Sequence, residues 1–202
     1  MEALRRSTLY QAGEKVTDWI ETYTGRQFYP LRPSVQDVHL EDIAHALSMK
    51  CRYAGHGAKF YSIAEHSVLL AQAVDKGYVP GIRRDLQRQA LLHDAAEAYL
   101  ADIPRPVKNS IRQWALVESE VEEVICRALG VSLPFSLNIK SLDFRILHNE
   151  KKVLFPNSPN VWPTMAPEGP LAGTVVRCWT PARAKRNFLT LARQLGLPYA
   201  HS

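Results

Sequence analysis

The stretch LLHDAAEAYL (residues 91–100) decides how the chain is read. Its apolar residues recur as they would on a buried helix. Yet it carries His93 and Asp94 side by side, with Glu97 following. An isolated charge in an apolar interior is so unfavourable that it is paired, neutralised or bound to a metal. Adjacent residues on a helix point about 100° apart, so His93 and Asp94 share one ion only if it lies between them and other helices complete the shell. Glu97, four residues past His93, is expected on the same helical face. Partners for these groups stand elsewhere: His66 in AEHS (64–67) and Asp143 in SLDFR (141–145). Histidine and carboxylate suit Zn, Mn, Fe or Co, and facing helices can converge them on one ion.

The flanking sequence predicts an all-α fold. Helices are expected over 14–23, 42–49, 62–76, 83–100, 110–129, 137–154 and 181–195. Ser62 with Glu65 fits a capping box. Gly130 fits a C-cap, and Thr180-Pro181 fits a helix start. TVVRCW (174–179) reads as a short strand. The pattern implies an orthogonal bundle of about six to eight helices. A single domain is expected over 1–202, with a proline-rich loop near 156–170 and a C-terminal helix. The loop is long enough to be functional or to meet a partner.

Composition narrows the class. No run of about 18 apolar residues occurs, so no membrane span is expected. MEALRRSTLYQAGEKV (1–16) has two arginines but no apolar region behind them, so a secretory signal is not expected. Three cysteines, Cys51, Cys126 and Cys178, are too scattered for a disulfide framework or a cysteine-based zinc site, which points to a cytoplasmic location. The net charge of +5 suits an anionic ligand, but the basic residues are spread along the chain, so a nucleic-acid partner is not expected.

The order His66, His93-Asp94, Asp143 resembles the signature of the HD-domain metal-dependent phosphohydrolase superfamily. EDIAHALSMKCRYAGHGAKFYSIAEHSVLLA (41–71) and ALLHDAAEAYLADIPRPVK (90–108) are similar to its small bacterial and phage branch of nucleotidases and deoxynucleoside triphosphohydrolases. The resemblance covers roughly residues 18–152, and WTPARAKRNFL (179–189) is also familiar. It implies the HD-domain helical fold, with His66, His93, Asp94 and Asp143 as ligands of one divalent transition metal (Co, Mn, Zn or Fe). It makes Glu97 the acid that orients or deprotonates the attacking water, and Asp102 a second carboxylate that meets the sugar or assists proton transfer. It makes Lys108 and Arg52 phosphate- or substrate-binding, and puts Tyr53 beside the base. His56 and Lys59 are candidates for the phosphate end of the pocket. There GHGAKF (55–60) departs from the branch, whose members often carry a threonine and a basic pair; Gly57 and Ala58 replace them and only Lys59 remains. A homodimer or higher homo-oligomer is also implied.

The expected function is hydrolysis of a phosphate ester of a (deoxy)nucleotide by a metal-activated water, as a 5'-monophosphatase or a triphosphohydrolase. A divalent cation polarises the phosphoryl oxygen, and Arg and Lys neutralise charge that grows during transfer. The alternative is a nucleotide- or nucleic-acid-binding module with a non-catalytic metal site. His45 reads as structural, His148 as structural or exposed, and the four tryptophans as core or surface anchors.

Overall fold

The described chain begins in a hairpin, not in the helix expected over 14–23. The computed structural model describes residues 18–74 and 78–199. Ile20–Glu21 (β1) pairs antiparallel with Gln27–Phe28 (β2). Residues 14–17 of the expected helix lie outside the described residues. Two contacts explain the reversal. Gly25 adopts φ +75, and Thr24 donates from its N–H and its hydroxyl to Asp42 at 2.7 and 2.9 Å. Trp19, Ile20 and Tyr23 stay exposed, while Phe28 is buried and stacked on Tyr99.

Among the described residues seven α-helices follow. They are α1 (Leu40–Met49), α2 (Ile63–Ala73), α3 (Pro80–Leu92), α4 (Arg105–Lys108), α5 (Trp114–Leu129), α6 (Leu137–Leu154) and α7 (Pro181–Gln194). The protein is thus a mostly helical, all-α bundle, as its apolar periodicity predicts. α2 is the central element. It is buried from Ile63 to Ala71 and packs against α1, α3, α6 and α7. Ile43, Leu47, Leu91, Ile146 and Phe188 on the neighbouring helices are fully buried. Among the described residues no helix is long and apolar enough to cross a membrane.

Local signals set most boundaries. The Ser62 hydroxyl accepts from Glu65 N–H at 3.1 Å. Gly130, at φ +64, closes α5, with Val131 N–H on Cys126 O at 2.8 Å. Thr180 accepts from Arg183 N–H at the start of α7. The assigned end of α2 is Ala73, and residues 75–77, where the sequence places its end, lie outside the described residues.

Three expectations are corrected. The helix predicted over 83–100 stops at Leu92; His93 caps it, Asp94 leaves it at φ −103, ψ 15, and Ala95–Ala98 forms a tight 3-10 turn. The helix predicted over 110–129 begins at Trp114, with α4 a separate turn behind Pro104. TVVRCW forms no strand. The N–H groups of Arg177, Cys178 and Trp179 are spent on the buried Glu65 carboxylate instead of a ladder, and Cys178 takes φ +55 there.

The proline-rich loop is irregular, as expected, and is strapped along α6. His148 Nε2 meets Ala166 O at 2.8 Å, Arg145 donates to the carbonyls of Gly169 and Pro170, and Asn149 bonds Leu171 and Thr174. One side of α6 thus carries the loop and frees the other for the site.

Candidate metal centre

Three elements meet at the middle of the bundle. His66 comes from the buried α2, His93 and Asp94 from the end of α3, and Asp143 from α6. His66 Nε2 lies 3.2 Å from His93 Nε2, 3.3 Å from Asp143 Oδ1 and 3.7 Å from Asp94 Oδ2. His93 Nε2 lies 3.2 Å from Asp94 Oδ2. The donor atoms of His66, His93 and Asp94 all lie within 4.8 Å of one another, and Asp143 joins them through His66.

The remote ring nitrogens show which way the histidines face. His93 Nδ1 sits 2.8 Å from Ala90 O, an acceptor only, so Nδ1 carries the proton and Nε2 presents its lone pair to the cluster. His66 Nδ1 sits 2.6 Å from Glu150 Oε1. Metal-ligating histidines make this kind of second bond to a carboxylate or carbonyl, which fixes tautomer and ring angle. Two lone pairs facing each other at 3.2 Å repel unless a proton or cation lies between them. Adjacent donors about 2.1 Å from a six-coordinate ion stand about 3 Å apart, close to the separations seen here. The residues therefore fit a divalent cation.

Glu150 is fully buried and has the densest set of bonds in the site. It accepts from Tyr61 OH at 2.9 Å and from Tyr53 OH, and Arg52 Nε lies 3.8 Å away. Burial opposes its charge, but Arg52, His66 and these bonds keep its pKa below the ordinary carboxylate value. Sequence reasoning missed it. It stands seven residues past Asp143 on α6, hence on the same face two turns later, and that spacing was the available signal.

Electrostatics separate the acids into two groups. Burial opposes ionisation of Asp94, yet His93, Arg52 and His66 hold it far below its usual range. Asp143 is lowered too: burial opposes its charge, but the bond to His66 prevails. Burial and Arg52 disfavour a proton on His66, but Glu150 and Asp143 outweigh them and push it up to about 9. Glu97 goes the other way. Burial first, then the charges of Asp94 and Asp102, push it up to about 10, and its Oε2 is buried without a hydrogen-bond donor. Burial also raises Asp102. A cation beside these acids restores the ionised form of Glu97.

The remaining candidates divide. Arg52 reaches the cluster through Asp94, Nη1 to Oδ2 at 3.0 Å, and its Nε has no hydrogen-bond partner. Tyr53, at φ +58, turns its hydroxyl onto Glu150 and packs its ring against Phe155 and Trp162. Lys108 pairs with Glu118 at 2.5 Å, and its charge is felt at Glu97. His56 and Lys59 lie exposed in the loop that docks on α6 through Ala58 N–H and Leu154 O. They are not drawn into the donor cluster. His45 stacks on Tyr23, a packing role.

No family model matches the chain. It is similar to the uncharacterized protein YfdR of Escherichia coli K12, with 34% identity over 147 residues, 73% of this chain and 78% of that protein. It is also similar to an uncharacterized protein of Rhodobacter capsulatus, with 40% identity over 95 residues, 46% of this chain and 48% of that one.

Proposed function

We infer the function of this chain, which belongs to the family of Escherichia coli YfdR, from its own donor cluster: it is a metal-dependent phosphohydrolase acting on a phosphate ester of a (deoxy)nucleotide. One observation carries the reading. Both histidines present Nε2 toward Asp94, each with its Nδ1 already engaged, beside a buried Glu97 oxygen that meets no donor. His66, His93, Asp94 and Asp143 are the residues that hold the ion. A divalent ion bound there would supply Lewis acidity toward a phosphoryl oxygen and lower the pKa of a bound water.

The chain's own groups do the rest. Glu97, once ionised, accepts the proton that water sheds, through the oxygen that lacks a donor. Asp102 is a second proton acceptor or a contact for the sugar. Arg52 has donors to spare beyond its bond to Asp94 and binds a phosphate oxygen there. Lys108 exchanges Glu118 for the same anion. The loop wall of Tyr53, Phe155 and Trp162 closes the apolar side.

The test is a product analysis. Purified protein is incubated with Mn or Co and a mixture of nucleoside mono- and triphosphates, with His93→Ala as control. The expected result is loss of one substrate class in the wild type alone, with phosphate or tripolyphosphate released. Binding of nucleotides without turnover would overturn the enzyme reading and favour a binding module.

A further inference from the structure

We propose that Lys50 is a positioning residue: its ammonium clamps the turn that carries Glu97 against the His/Asp donor cluster. The proposal rests on the phosphohydrolase reading for its consequence and on geometry for its substance. Lys50 Nζ donates to three backbone carbonyls, those of Glu97, of Ala98 at 3.0 Å and of Leu100 at 3.2 Å. These carbonyls are turned together because α3 breaks after Leu92 and the chain continues in a 3-10 turn. An ammonium has three donors, and here each is used. Without it, the carbonyls of Glu97, Ala98 and Leu100 in a largely buried turn would lose this donor.

The backbone of the same residue sets the other half of the site. Lys50 N–H closes α1 on Ala46 O, and Lys50 O accepts from Ile63 N–H, the first residue of α2. Cys51 bridges Ser62, Arg52 N–H bonds Tyr61 O, and the Arg52 side chain holds Asp94. Three consecutive residues therefore register the start of the His66 helix, the Asp94 carboxylate and the Glu97 turn to one another. Lys50 governs only the last of these through its side chain, and it touches none of His66, His93, Asp94 or Asp143. The motif-bearing residues around it explain the ligands but not why an irregular turn, rather than a helix, presents Glu97 in a fixed place.

The experiment compares wild type with Lys50→Met and Lys50→Arg. It reads Mn affinity, hydrogen exchange across residues 95–102, and kcat and KM on the substrate found by product analysis. Lys50→Met is expected to keep Mn affinity within about threefold, lose exchange protection at residues 96–102, and lower kcat about 10- to 100-fold with KM little changed. Lys50→Arg replaces a compact ammonium by a planar fork and is expected to lower kcat about three- to tenfold, with partial protection. It decides the question if Lys50→Met does not fold. Wild-type kcat and protection in both variants would overturn the proposal, as would loss of Mn affinity in step with kcat. If the wild type hydrolyses no nucleotide, the enzyme reading fails on its own. Exchange and Mn affinity then judge the clamp, and unchanged protection overturns it.

Discussion

Glu65 and His66 are neighbours on α2, equally buried, and their surroundings could hardly differ more. Glu65 faces the 177–179 segment, where three backbone N–H groups converge on its carboxylate at up to 3.0 Å. A concave run of N–H groups is a fixed anion receptor, and here the protein supplies its own anion. His66 faces the cluster, where its Nδ1 is satisfied by Glu150 but its Nε2 meets another lone pair and two carboxylates. The first region is closed and the second is open to a cation. Buried polar groups are nearly always satisfied, and beside the second region Glu97 Oε2 is buried without a partner.

The largest expected effect lies on the open side. Asp94→Ala removes a carboxylate shared by His93, His66 and Arg52. Metal retained after gel filtration, read by elemental analysis, should fall to background together with hydrolysis. Retained metal would remove Asp94 from the shell.

Next in size are paired carboxylate substitutions, which should part the two regions. Glu150→Gln keeps a side chain of the same shape while weakening the grip on His66, and Mn affinity measured by calorimetry should drop about 10- to 100-fold. Glu65→Ala strands three N–H groups, that of Trp179 buried and those of Arg177 and Cys178 partly so, and should cost about 2 kcal/mol of unfolding free energy in urea titration, with Mn affinity changed less than about twofold. The reverse pattern would mean that the roles of the two acids are exchanged.

A smaller effect concerns pH. In metal-free protein His66 is raised from 6.5 to about 9, so the stability from its protonated form is fully present below about 6.5 and is lost as pH rises through about 9. Glu97, raised to about 10, acts in the same direction, since above its ordinary range the unfolded chain ionises and the folded chain does not. The Tm of chelator-treated protein should therefore fall between pH 6.5 and 9, and added Mn should flatten that slope. A level profile without metal would contradict the charge assignments. Smallest of all, His56→Ala and Lys59→Ala, both exposed, should leave Mn affinity unchanged and stability within about 0.5 kcal/mol by the same titrations.

The helical frame and the His66 side of this contrast were legible in the residues. The apolar periodicity predicts a helical bundle, α6 begins and ends where its pattern does, and the spacing of His66, His93-Asp94 and Asp143 marks a cluster that the fold brings together. What was not legible is tertiary. The break after Leu92 falls in an alanine-rich run with no glycine or proline to announce it, and the carbonyls it frees are taken by Lys50, distant in sequence. TVVRCW has strand-like residues, but its N–H groups are claimed by Glu65 from another helix. Glu150 shares the Asp143 face of α6, but its bond to His66 exists only once α6 is packed on α2. Such partners are chosen by packing, and local propensity carries no record of them.

The most direct test is a crystal grown with Mn and measured for anomalous scattering. The expected result is a single strong peak bounded by His66 Nε2, His93 Nε2 and Asp94 Oδ2, with Asp143 completing the protein shell. A cluster without a peak, or a peak at other residues with the histidines hydrogen-bonded to each other, would contradict the central claim.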